Sequence, residues 1–482
     1  LFLFPAGQRS KIMPDLPETW TRTRFIMMVL LLLCLSSIWS NILSFNIAHI
    51  CMKANASANE EENRKADRYN FDKTFSWLTS IVAAAALLAN FPIVHAVNKM
   101  GIRSVFTILG LISAVATLAI PAAIRTGIVF LFVCRFLQGL GFAAIFPVVG
   151  AFSAKWTYYK QTGLFVSVLV SYVQLSPVLT MSASGVLCES VGWPSVFYVH
   201  GSLSIVLFAA YAALYRNSPE KHPFVGEREC SKISIGKSTV DKTTLRRIPY
   251  RAILTTPAIW AVWLGAVGNF AAVNLMFLYN PQYFTDVLNL GQTATGLLAA
   301  IPPLVQFLVK LACGAASDRI TSISDLTKYR MFNSIAFLGS ASCFAVLAMI
   351  DAKNTAVNLA LLLGAAGILG AVTGGFYKAG PALSKQYSHF VTGNISVVLT
   401  ATMMAVPLLV STMTTSEDAT LTATPRDPAA RHDEWRGVFG VVAALLVLSN
   451  VIFCGFVKGE PCEWTKDEWI KRNSVKDLSD RF

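Results

Sequence analysis

Arg135 is the residue in this chain whose type and setting most demand a chemical explanation. It stands in Cys134–Trp156, CRFLQGLGFAAIFPVVGAFSAKW, an apolar glycine-rich run of membrane-crossing length. A guanidinium is costly in hydrocarbon, so such a residue faces a protein interior or an aqueous path. Its fork of donors matches a carboxylate or a phosphate, which makes Arg135 a candidate anion contact. The competing reading is an arginine bonded to backbone carbonyls at a close helix crossing. A second cation, Lys310, lies in an apolar run about two turns before Asp318. It either snorkels to a surface or supplies a second anion contact. If both face one cavity, the pair could clamp an anion from two sides.

The other polar groups in apolar runs are uncharged. Asn269, Asn274, Tyr279 and Asn280 fall in one run, and Asn269 and Asn280, eleven residues apart, share a helical face. Both are candidate substrate contacts, although polar residues also hold membrane helices together. Carboxylates are missing from mid-run positions: Glu189, Asp286 and Asp318 all sit near the ends of their runs. His49 and His200 remain as candidate pH sensors, since an unperturbed imidazole titrates near 6.5, with hydrogen-bonded packing as the alternative. There is no nucleophile–base pair, phosphate-cradling loop or metal-ligand spacing, so the chain reads as a non-enzyme with no metal site and no organic cofactor.

The elements that position these residues follow from composition. With 54% hydrophobic and 14% charged residues over 482 positions, the chain is a polytopic membrane protein in contact with a lipid bilayer. Its net charge of +13 is spread between apolar runs rather than gathered in a patch with aromatics, which argues against nucleic acid as a partner. The nine cysteines are scattered without a CxxC pair and read as packing residues. The opening LFLFPAGQRSK is too short for a signal h-region, so the first long apolar run reads as a retained helix.

Runs of about 20 apolar residues fall at 25–52, 75–97, 103–124, 127–153, 160–188, 195–215, 256–284, 293–316, 331–350, 356–377, 391–414 and 437–457. The expected fold is all-α, with twelve transmembrane helices in two six-helix halves. The expected divisions are a segment 1–24, a first half 25–215, a basic linker 216–251, a second half 252–457 and a tail 458–482. Basic residues concentrate in the even-numbered connections and the linker, which places both termini in the cytoplasm by the positive-inside rule. The first connection then faces lumen or exterior, where Asn55-Ala56-Ser57 is a glycosylation sequon. Similar basic turns follow the second and eighth runs, NKMGIR (98–103) and Ser317-Asp318-Arg319. Six plus six in parallel repeats is the layout of major facilitator transporters, whose substrate binds near the midplane between the halves.

Specific motifs then narrow the reading. RFLQGLG (135–141), Phe146-Pro147, SAKW (153–156), SGVLCESVGWPSVFYVHG (184–201), SPEKHP (218–223), AILTTPAIWA (252–261), PQYFTDVL (281–288), EWRGVF (434–439) and GEPCEW (459–464) resemble the anion:cation symporters, the solute carrier 17 family. The resemblance implies a secondary transporter of small organic or inorganic anions, with Arg135 as the anion-binding residue and H+, Na+ or the membrane potential as the driving force. It also implies a membrane that is either the plasma membrane or that of an intracellular vesicle or lysosome, and we expect a monomer. The chain departs from the pattern in three places. Phe142 stands where the family has a glutamate seven residues after the arginine, and Ser44 stands where it has a first-helix arginine in an Arg-x-Asn stretch. That stretch leaves Asn46 as a candidate substrate contact. Ala83 to Ala86 replace a bulkier second-helix segment, which predicts a smoother, wider cavity wall. These losses also motivate an alternative, a non-transporting relative that senses a ligand or acts as a scaffold.

Overall fold

In the computed structural model the apolar runs form helices, and the structure describes residues 22–56, 71–157, 162–234, 249–320, 322–350, 354–414, 428–466 and 469. Eleven helices among the described residues are long and apolar enough to cross a membrane. These are span 1 (Thr23–Met52), span 3 (Ile102–Thr126), span 4 (Ile128–Ser153), span 5 (Phe165–Ser190), span 6 (Trp193–Leu214), span 7 (Pro257–Asp286), span 8 (Gln292–Ser317), span 9 (Asp325–Leu347), span 10 (Thr355–Ser384), span 11 (Phe390–Met413) and span 12 (Asp433–Phe456). Span 2 is the helix Phe71–Met100, which completes the twelve expected from the sequence. Spans 2 and 3 are separated by Gly101 alone, at φ 81°, a left-handed conformation that glycine adopts without steric cost.

Two spans are interrupted. Span 4 breaks at Ala144 between the helices Ile128–Ala143 and Ile145–Trp156. Pro147 explains the break, because it has no N–H to offer the carbonyl four residues earlier. Span 10 runs as a helix to Leu369, tightens to a 3-10 turn over Gly370–Gly374 and restarts as Phe376–Ser384. A β-carbon on Gly370 would lie 2.7 Å from the Gln306 carbonyl and 3.1 Å from the Lys310 nitrogen, so the glycine lets span 10 touch the backbone of span 8.

The packing repeats. In the first half span 1 packs on 5 and 6, span 2 on 4, and span 3 on 4 and 6. In the second, span 7 packs on 11 and 12, span 8 on 10, and span 9 on 10 and 12, which is the same pattern displaced by six spans. Between halves, span 5 lies on span 8 and span 2 on span 11, a pair of contacts that the same displacement exchanges. The halves touch from the face where span 1 ends, here the first-loop face, down to mid-depth. Asn46 Nδ2 donates to the Leu278 carbonyl at 3.1 Å, Thr293 N–H to Glu189 at 3.3 Å, Ser80 to the Met404 carbonyl at 3.2 Å, and Gln174 to Gln306 at 3.2 Å. At the same face Gly185 and Gly296 bring spans 5 and 8 together, and Phe75 meets Tyr279 edge-on at 6.2 Å.

Two expectations are corrected. Span 9 begins at Asp325 rather than 331, because the Ser324 hydroxyl accepts the Thr327 N–H at 3.2 Å and Asp325 pairs with Lys328 at 2.7 Å. The basic residues Lys328 and Arg330 therefore belong to the helix, where their charge suggested a loop. Cys51 and Cys188 are not packing residues but form a disulfide between spans 1 and 5, with a Cα–Cα distance of 6.1 Å. The pair is 137 residues apart in sequence and is created only by the tertiary fold. The basic linker also carries secondary structure. It contains the helix Glu227–Ser234, held against span 1 by the Thr23 hydroxyl on the Phe224 carbonyl at 2.8 Å and the Arg24 N–H on Glu229 at 3.2 Å.

Candidate functional site

Arg135 is fully buried inside the first half. Its Nε donates to the Leu78 carbonyl of span 2 at 3.0 Å, and its Nη1 to the Ile42 carbonyl of span 1 at 3.2 Å and to Gln138 Oε1 at 2.7 Å. The guanidinium also lies over the Phe45 ring, 4.6 Å from its centroid. Gln138 extends the network to the Asn41 carbonyl and to Thr117, at 2.9 and 2.8 Å. Arg135 thus ties spans 1, 2 and 4 together at one level, and its Nη2 is buried without a partner. Phe142, in place of the family's glutamate, packs on Trp39 with ring centroids 5.1 Å apart.

The alanines of span 2 serve the same crossing. A β-carbon on Gly139 would come 2.3 Å from the Val82 carbonyl and 2.7 Å from the Ala85 β-carbon. Ala83, Ala85 and Ala86 are buried. The expected wide cavity wall is therefore replaced by tight packing of span 2 on span 4, which requires small residues on both helices.

Lys310 occupies a different environment. It is partly exposed, and its ammonium sits 5.2 Å from the centroid of the Tyr377 ring, a cation–π contact. Tyr377 lies in the first turn of the second helical piece of span 10, stacks on Phe376 at 4.3 Å and has the Asn269 side chain of span 7 close to its hydroxyl. From the other half, Tyr172 lies within electrostatic range of Tyr377, and Gln174 reaches Gln306, one turn before Lys310. Several polar atoms in this group are buried and lack partners: Tyr172 OH, Asn269 Oδ1 and Gln306 Nε2. Unsatisfied buried polar atoms are uncommon, and here they belong to residues grouped near Tyr377, on whose ring the Lys310 ammonium rests where a helix is broken. Polar atoms left open in this way can accept a polar ligand.

The remaining sequence candidates fall elsewhere. Asn46 spans the two halves at the first-loop face through Leu278, and Asn280 is buried near the same end of span 7. Asn274 holds span 7 to span 11 through Thr402 at 3.0 Å. His200 is buried, with Ser40 on Nδ1 at 2.9 Å and Ser184 on Nε2 at 3.0 Å, and so joins spans 1, 5 and 6. His49 stacks on Phe75 at 4.2 Å. Asn55 falls at the end of the first helix, and its side chain and Ser57 of its sequon lie outside the described residues. Sequence reading missed Tyr172, Gln306 and Tyr377. Two signals were there to find: Gln306 precedes Lys310 by one helical turn, and Tyr377 follows the helix-breaking Gly374-Gly375.

The sequence model of the Major Facilitator Superfamily matches residues 24–410. Human sialin is 25% identical over 87% of this chain and 82% of its own length. Human sodium-dependent phosphate transport protein 1 is 26% identical over 74% of each. Among solved structures, a bacterial homologue of the human lysosomal transporter Spinster, in an inward-facing and unoccupied conformation, superposes with a TM-score of 0.69 at 12% identity, covering 90% of this chain and 96% of that one.

Proposed function

The chain belongs to the Major Facilitator Superfamily, in its solute carrier 17 branch, and from that premise we propose that it is a secondary transporter of small organic or inorganic anions working by alternating access. The observation that carries this reading is the Lys310 ammonium between the halves, with an aromatic face as its partner and no carboxylate beside it among the described residues. Tyr172, Asn269, Gln306 and Tyr377 would orient the ligand, and Arg135 would hold the first half in shape and lend positive potential. Asn46 and Asn280 would act at the first-loop gate. The linker face is cytoplasmic in this reading, and the carboxylates that the spans contain lie at their ends, so the driving ion, H+ or Na+, has no carboxylate partner at mid-depth.

Uptake into proteoliposomes tests the proposal, using phosphate, glutamate and lactate as probes. Wild-type chain should accumulate or exchange at least one of them, and Lys310→Ala should lose that uptake at unchanged expression. Unchanged uptake in Lys310→Ala sinks the site assignment. The sensor reading draws on Phe142 and Ser44, which remove the family's coupling groups; a sensor would bind a probe without counterflow of label.

A further inference from the structure

The membrane interior of this protein holds cations with no acid to balance them. There is no aspartate or glutamate from Lys73 to Cys188, from Ala252 to Thr285, from Val287 to Ser317 or from Ala352 to Ser416. Arg135 and Lys310 are the lysine or arginine residues that lie deepest within the spans of those stretches, among the described residues. Arg135 has three hydrogen bonds and an aromatic face within its own half, all of which move with it. Lys310 differs: it lies one turn from the Gln174–Gln306 contact with the other half, is partly exposed, and rests on Tyr377.

Alternating access requires the halves to rock against each other around this region. In the intermediate, the Lys310 ammonium is enclosed between the halves. Enclosing an unpaired ion is heavily penalised, and an aromatic face returns only part of the loss. A bound anion removes the difficulty by supplying the missing counter-charge. The loaded protein can then cross the intermediate, and the empty one is held back.

We propose that this protein is an anion exchanger, in which Lys310 makes the return of the empty carrier the slow step, so that one anion leaves only as another enters. The inference rests on the anion-transport reading above and adds the mode of transport to it. The balance is simple: one anion crosses in each direction, no bond is made or broken, and no second ion is required.

The test uses full-length chain in liposomes preloaded with labelled phosphate, glutamate or lactate. Potassium and valinomycin clamp the potential, so that charge build-up does not slow net efflux. Efflux into medium containing the same unlabelled anion should exceed efflux into zwitterionic buffer by at least about tenfold. Equal rates in the two media overturn exchange while leaving anion transport standing. Failure of every probe to move in either medium sinks the transport reading, and this inference with it. Lys310→Gln removes the charge and the anion contact with it, so efflux should fall at least about tenfold in both media. Efflux that keeps its wild-type rates in Lys310→Gln overturns the role given to Lys310. The wild-type comparison needs no variant, so the proposal stays testable even if Lys310→Gln does not fold.

Discussion

Arg135 and Lys310 show how far a residue type alone carries function. Both were visible in the sequence as membrane-embedded cations, but their roles depend on partners that spacing does not reveal. Arg135 meets two carbonyls from other spans, Leu78 and Ile42, and no sequence pattern marks a carbonyl as available. Truncation leaves both acceptors buried without this donor, at about 1–3 kcal/mol each. Arg135→Ala should therefore lower the thermal midpoint of the purified protein as well as abolish uptake, and Arg135→Lys should recover only part of either. If Arg135→Ala keeps its midpoint and loses only uptake, the residue is a ligand contact rather than an anchor. The aromatic and amide groups around Lys310 were illegible for the opposite reason. Tyrosine and glutamine are common in helices, and only the break in span 10 sets Tyr377 apart.

At the scale of elements, the sequence located all twelve spans because each is a long apolar run, and it missed the places where polar residues continue a helix or glycine interrupts one. Spans 5 and 8 illustrate what glycine does here. A β-carbon on Gly296 would meet the Met181 carbonyl at 2.5 Å and the Gly185 Cα at 2.8 Å, both backbone atoms that have little freedom to move. Gly296→Val should keep the first-loop face from closing. We expect a cysteine placed at Thr293 to react faster with an impermeant maleimide in that background, and transport to fall at least about tenfold, as loss of close packing at a gate implies. Unchanged labelling would mean that the two spans separate elsewhere. The linker helix offers a pH test. Burial raises the Glu229 carboxyl above its ordinary value of 4.5, against the opposing pull of Arg24. A raised carboxyl favours the docked state below 4.5, and that contribution is lost as pH rises through the raised value. Hydrogen exchange over 224–234 should accordingly quicken as pH climbs through that window, after correction for intrinsic rates, and Glu229→Gln should flatten the trend.

For the whole molecule, the repeated contact pattern explains why the disulfide lies where it does. Alternating access moves one half against the other, so a covalent link across the pairs 5–8 or 2–11 would stop the cycle. Cys51–Cys188 joins spans 1 and 5, which belong to the same half. The bond closes a loop of more than a hundred residues, a constraint on the unfolded chain that the loop-entropy account values at about 4 kcal/mol or more. It leaves the moving interface free. Reduction, or Cys188→Ser, should therefore lower the thermal midpoint while leaving counterflow at the level of the oxidised protein. Loss of counterflow in a protein that remains folded would place spans 1 and 5 on opposite sides of the motion. The division of this chain into two rocking halves would then have to be redrawn.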